Sequence, residues 1–141
     1  MLSWVSHAAV LERAHAKGFD DALLINEKDK LAECTSANIF VVRQGEILTP
    51  ALSSGCLAGI TREILFEITP RSGFPLREQE LTTADLASAD EVFISSTTRE
   101  VAAIESISPS WKYPAPGKIT TELEKIFQEY VQKYLAQASA K

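Results

Sequence analysis

Apolar and polar positions along the chain predict a mixture of short strands and a few helices. Val5–Lys17 carries the helix formers Ala8, Ala9, Leu11 and Ala14, with Gly18 as its stop. Ala22–Ile25 is a continuous apolar run, as in a strand buried on both faces. The polar turn Asn26–Asp29 follows, then strands over Lys30–Thr35 and Asn38–Arg43. Gln44-Gly45 makes a tight turn into a short strand over Glu46–Thr49, which Pro50 closes. Together Ala22–Thr49 reads as one compact antiparallel meander. Ile60–Ile68 is helical and is broken by Thr69–Gly73. Leu76–Glu80 reads as a strand, and Thr82–Ser88 as a short helix opened by a Thr cap. Glu91–Ser95 and Val101–Ile107 add two more strands to the sheet. Last comes an amphipathic helix over Ile119–Leu135. Its Leu123, Ile126, Phe127, Tyr130, Val131 and Tyr134 recur at helical spacing and are expected to face the body. The Pro-rich stretch Ser108–Gly117 reads as the connection to that helix.

Composition narrows this picture. The 141 residues suffice for one domain with its own core, and 45% hydrophobic with 23% charged residues is ordinary for a folded chain. The net charge of −5 argues against a broad nucleic-acid or membrane-surface footprint. No apolar run approaches the ~20 residues of a membrane span, and Met1–Val10 lacks the pattern of a signal peptide. Cys34 and Cys56 form no C-x-x-C motif, and the two histidines complete no zinc set. Two free thiols suit a reducing cytoplasm.

The stretch with most chemical character is Ser53–Arg62, Ser-Ser-Gly-Cys-Leu-Ala-Gly-Ile-Thr-Arg. Gly55 and Gly59 allow the backbone to turn just before a helix, and Thr61 adds a hydroxyl to its first turn. Unpaired N–H groups at a helix start, with the positive end of its dipole, suit a phosphate. An ordinary capped loop fits the same residues. Glu33, mid-strand beside Leu31 and Thr35, is either a solvated surface acid or a carboxylate that holds a proton on a ring nitrogen. Ser95-Ser96-Thr97-Thr98 is a hydroxyl cluster at a strand end, either a solvated turn or a second set of anion donors. Asn38 is expected to tie down a neighbouring turn. His7 and His15 read as surface residues, and both cysteines as small buried residues and not nucleophiles.

Taken together, these residues resemble the class IV aminotransferases, the fold-type IV enzymes that use pyridoxal phosphate. The likeness is carried by Ala32–Phe40, Ala-Glu-Cys-Thr-Ser-Ala-Asn-Ile-Phe, followed by Ile47-Leu48-Thr49-Pro50, then Leu57–Arg62 and Ala89–Val101. Gly18–Leu23 resembles the entry to the first strand of the family's larger domain. The motifs run in the family's order from about Ser3 to Ile107. The resemblance implies an α+β fold, with a mainly antiparallel, pseudo-barrel-like sheet and flanking helices. It implies that Glu33 holds the proton on the pyridine nitrogen of pyridoxal 5'-phosphate and that Leu57 packs on one ring face. Gly59, Ile60, Thr61 and Thr97 would hold the phosphate, and Ser96 and Thr98 would meet the substrate carboxylate.

The family's Schiff-base lysine stands in a Lys-x-Leu-Ser-Trp type context. Leu2-Ser3-Trp4 is present here, so that lysine would fall immediately upstream of Met1, and none of Lys17, Lys28, Lys30, Lys112, Lys118, Lys125, Lys133 and Lys141 occupies the position. The 141 residues therefore resemble the single C-terminal, cofactor-binding domain, without the family's smaller N-terminal domain. The implied activity is transfer of an amino group between an amino acid and a 2-oxo acid, branched-chain type first. The alternatives are an aminodeoxychorismate-lyase-type domain or a non-catalytic module. The resemblance also implies a homodimer, and apolar surface around Leu2, Trp4 and Val5 is expected to favour self-association.

Overall fold

The computed structural model describes residues 4–108 and 111–139, with side chains from Ala9 to Leu135. Leu2, and the side chains of Trp4, Val5 and His7, lie outside the described residues. The chain opens with helix α1 (Trp4–Ala16) and a hairpin of β1 (Leu23–Ile25) and β2 (Leu31–Cys34). Next come β3 (Asn38–Arg43), β4 (Glu46–Thr49), helix α2 (Ile60–Ile68) and β5 (Leu76–Glu78). Helix α3 (Thr83–Ala87), β6 (Glu91–Ser96), β7 (Glu100–Ala103), β8 (Ser106–Ile107), β9 (Trp111–Lys112) and helix α4 (Lys118–Ser139) complete it.

A five-stranded sheet in the order β5-β4-β3-β6-β7 forms the centre, antiparallel except for the parallel β4–β5 pair. The expected α+β class, with an antiparallel-dominated sheet and flanking helices, is what forms. Along β3 the side chains alternate between two apolar clusters, so the sheet is covered on both faces. Phe40 and Val42 join Leu65 and Ile68 of α2, Phe93, and Leu123 and Phe127 of α4. Ile39 and Val41 join Leu31, Leu81, Leu86, Val92 and Tyr113 on the other side. Phe40 and Phe93, paired across β3 and β6, stack with ring centroids 4.7 Å apart.

Three of the expected elements take a different form. The meander over Ala22–Thr49 divides, because β1–β2 is a sheet of its own, bridged to the chain before β3 at Cys34 and Ala37 and sharing with β3 the apolar cluster of Leu31, Ile39 and Val41. The outer N–H of Leu31 pairs with the carbonyl of Leu81, and the N–H of Thr35 with that of Ala22, so β2 has its partners elsewhere. Val101–Ile107 also divides: Ile104 still bonds to Val92, but the carbonyl of Glu105 accepts from Tyr113, which starts the separate β8–β9 hairpin. The stretch that leads to α4 is anchored at Tyr113. Tyr113 is buried and its hydroxyl donates to the carbonyl of Leu86 at 2.7 Å. The stripe on α4 faces the body up to Val131, but Tyr134 is 65% exposed, because the helix outruns the sheet it packs on.

The cap expected at Thr82 is present as a reciprocal capping box with Asp85. The start of α4 is held differently. Glu91, buried on β6, accepts from the N–H groups of Ile119 (3.0 Å) and Thr120 (2.9 Å), so a carboxylate from the sheet caps the helix.

Candidate functional site

The loop before α2 is where the separate sequence signals meet. Gly55 turns it with φ +100, a left-handed conformation that glycine alone adopts readily. Cys56 is buried beneath, its Sγ near the carbonyls of Pro50 and Ala51. Leu57 is then fixed at both its backbone groups. Its N–H donates to Glu33 Oε1 at 2.6 Å, and its carbonyl accepts from Asn38 Nδ2 at 2.8 Å. Two neighbouring strands thus hold one residue, and its side chain is left 63% exposed.

Glu33 is only 5% exposed, which removes the reading of a solvated surface acid. Glu33 is among the residues that line a cavity of about 370 Å³, together with Ile25, Asn26, Ser53, Ser54 and Gly55. Asn38 ties down a turn as expected, but one 19 residues away. Gly59 has an ordinary φ of −64, so its value lies in space and not in backbone freedom. A Cβ there would stand 2.5 Å from Asn38 Oδ1.

Helix α2 begins at Ile60 with no side chain capping it, so its first N–H groups face outward without a side-chain acceptor. Ile60 is 70% exposed, whereas Thr61 is buried and its Oγ1 donates to the carbonyl of Ser96 at 3.2 Å. That bond brings the start of α2 to the end of β6, where the hydroxyl cluster lies. The cluster itself spreads out. Ser95 is buried and its hydroxyl finds no partner among the described residues, while Ser96 Oγ accepts the N–H of Arg99 at 2.9 Å. Thr97 and Thr98 are exposed in the turn between β6 and β7. Glu33, Leu57, Gly59, Ile60, Thr61 and Ser96 thus form one continuous run of contacts, with Thr97 and Thr98 at its far end.

Three residues that the sequence did not single out belong to this region. Asp21 and Arg99 form an ion pair at 2.9 Å. Their 78-residue separation left no local signal. Arg62 is 4% exposed, donates to the carbonyl of Pro50 at 3.2 Å and lies over the ring of Phe66. It anchors the first turn of α2 to the end of β4.

Both cysteines are free and buried. Burial pushes the Cys34 thiol up to about 12, with Asp21 and Glu33 adding to the shift, and burial raises the Cys56 thiol as well. Neither is a thiolate at neutral pH. His15 is exposed and its ring bonds to the carbonyl of Asp20. Among the described residues, no group of His, Cys, Asp and Glu could hold a metal ion, and no helix is long and apolar enough to cross a membrane.

Known proteins resemble the chain in sequence and in fold. A probable branched-chain-amino-acid aminotransferase of Synechocystis sp. is 31% identical over 94% of this chain and 44% of its own length. A D-alanine aminotransferase of Listeria monocytogenes is also 31% identical, over 92% of this chain and 45% of its own. The solved structure of a branched-chain amino acid aminotransferase from Thermobaculum terrenum, in its PLP form, superposes with a TM-score of 0.85. It is 33% identical and is matched over 91% of this chain and 42% of its own. The chain thus spans less than half the length of each. The family model for amino-transferase class IV matches residues 1–107, which include β1–β8, α2 and every residue of the run just described, and the chain belongs to that family.

Proposed function

We propose that this chain is the cofactor-binding domain of a pyridoxal-phosphate-dependent aminotransferase that moves an amino group between an amino acid and a 2-oxo acid. One observation carries the reading: the clamp on Leu57, whose backbone N–H is held by the buried Glu33 carboxylate and whose carbonyl is held by Asn38, three residues before the uncapped start of α2. The residues present fit the group. The α2 start has N–H donors with no side-chain acceptor, and the missing Cβ of Gly59 admits Asn38, which holds the Leu57 carbonyl just before that start. Pyridoxal phosphate, when bound, supplies an electron sink for a developing carbanion. Glu33 would keep the proton on its ring nitrogen, and Leu57 would cover one ring face. The N–H groups of Ile60 and Thr61, with the Thr97 hydroxyl, would hold the phosphate. Backbone groups of Ser96 and Thr98 would meet the substrate carboxylate.

The Synechocystis relative supports a branched-chain-type substrate. The Listeria relative, equally identical, is a D-alanine aminotransferase, so assays on both amino acids decide between them. Two free thiols support a cytoplasmic location. The family likeness supports a homodimer, which light-scattering mass tests.

The first experiment titrates the chain with pyridoxal phosphate and follows its absorbance, then adds borohydride. Saturable binding is the expected result. A reduced adduct on one lysine shows residual chemistry in this chain, and binding without an adduct shows a cofactor-binding module. No saturable binding overturns the proposal.

A further inference from the structure

The turn that carries Thr97 and Thr98 is held at its base by a carboxylate outside the run of contacts described above. Asp21 lies just before β1 with a side chain only 10% exposed. It accepts from the N–H groups of Ala22 (2.7 Å) and Thr35 (3.1 Å) and from the hydroxyls of Thr35 and Ser36 (the latter at 2.7 Å). The Oδ2 that takes the Ser36 hydroxyl also accepts from Arg99 Nη2 at 2.9 Å, and the same guanidinium donates to Ser36 Oγ. Arg99 in turn gives its backbone N–H to Ser96 Oγ. One carboxylate therefore joins three places: the entry to β1, the turn that leads into Asn38, and the turn after β6. Burial raises the Asp21 carboxyl, but the bonds from Thr35, Ser36, Ala22 and Arg99 outweigh it and leave the group below its ordinary value.

We propose that Asp21 is a positioning residue for the anion-binding end of the cofactor site, acting through Arg99 on the turn at Ser96–Thr98. The inference rests on the cofactor reading above. Thr61 ties the end of β6 to α2 from one side, and Asp21 with Arg99 ties it from the other. A turn as exposed as Thr97–Thr98 would otherwise lose its freedom only on binding, at a cost in affinity. With the tie, the donors stand in place beforehand. Asp21→Asn keeps the shape and an oxygen for Thr35 but withdraws the charge from Arg99. Leu57, Glu33 and the ring-facing side of the site are untouched.

The experiment compares affinity for pyridoxal phosphate with affinity for pyridoxal, which lacks the phosphate. The unaltered chain is expected to prefer pyridoxal phosphate strongly. In Asp21→Asn that preference should fall roughly tenfold, the size of one charge-assisted hydrogen bond, with pyridoxal affinity unchanged. Arg99→Gln should lose the same preference, and the double variant should lose little more. Arg99 has a side chain 36% exposed, so it carries the test if Asp21→Asn does not fold. An unchanged preference in both variants overturns the inference while leaving the cofactor site standing. Equal losses for both ligands also overturn it, since they mark a general structural role. An unaltered chain that binds pyridoxal and its phosphate alike overturns the cofactor reading itself.

Discussion

Glu33 performs two separable tasks in this account, and two substitutions divide them. Its Oε1 accepts the Leu57 N–H at 2.6 Å, a short bond to a charged acceptor. Glu33→Gln keeps an amide oxygen for that N–H and removes only the charge. The bond becomes an ordinary neutral one, a loss of about 1 kcal/mol in stability. Glu33→Ala removes the acceptor, leaves a gap where the side chain was 5% exposed, and should cost about 2–3 kcal/mol. For a domain of this size each kcal/mol moves the melting temperature by about 3–4 °C. The cofactor sees the reverse ranking of causes. Glu33→Gln already withdraws the anion that would face the protonated ring nitrogen, so affinity should fall about tenfold to a hundredfold. Glu33→Ala should add little to that loss. The assay is urea denaturation of the chain alone beside an absorbance titration with pyridoxal phosphate. If Glu33→Gln binds with unaltered affinity and spectrum, the ring-nitrogen role is refuted. If Glu33→Ala is as stable as Glu33→Gln, the clamp on Leu57 does not contribute what its geometry implies.

Other expectations are equally specific. A Cβ on Gly117 would lie 2.1 Å from Glu91 Oε1. Gly117→Ala should therefore displace the carboxylate that caps α4 and cost about 2–4 kcal/mol, measured by denaturant midpoint. In a Glu91→Ala background the same change should cost far less, and equal costs would disprove the mechanism. Both thiols should resist alkylation at pH 8 in the folded chain and react once it is unfolded in urea, and rapid native labelling of Cys34 would contradict its burial. Asp21 and Asp85 both sit below their ordinary value of 3.8. In each, burial opposes the shift and hydrogen bonds outweigh it, from Thr35 and Ser36 at Asp21 and from Thr82 and Arg43 at Asp85. Their stabilisation is complete above that value and is lost as pH falls through the lower folded value. Denaturant midpoints should thus drop below about pH 4, and Asp21→Asn should flatten that drop.

Local order alone marked much of this molecule. The runs Asn38–Arg43, Glu46–Thr49 and Ile60–Ile68 became elements with the bounds their side chains suggested, because period, turn residues and breakers act over a few positions. The cap at Thr82 was legible for the same reason. The motifs around Glu33, Leu57–Arg62 and Thr97 were legible as kinship. Tertiary structure decided whatever depended on distant partners. It turned Glu33 inward by supplying the Leu57 N–H, and it gave Gly59 its purpose by bringing Asn38 against it. It ran β5 parallel to β4, against the hairpin habit of the rest. It also joined Asp21 to Arg99 across 78 residues. A side chain's own neighbours state its chemistry, but only the closed chain determines which donors reach it, and a buried carboxylate is tolerable only where they do.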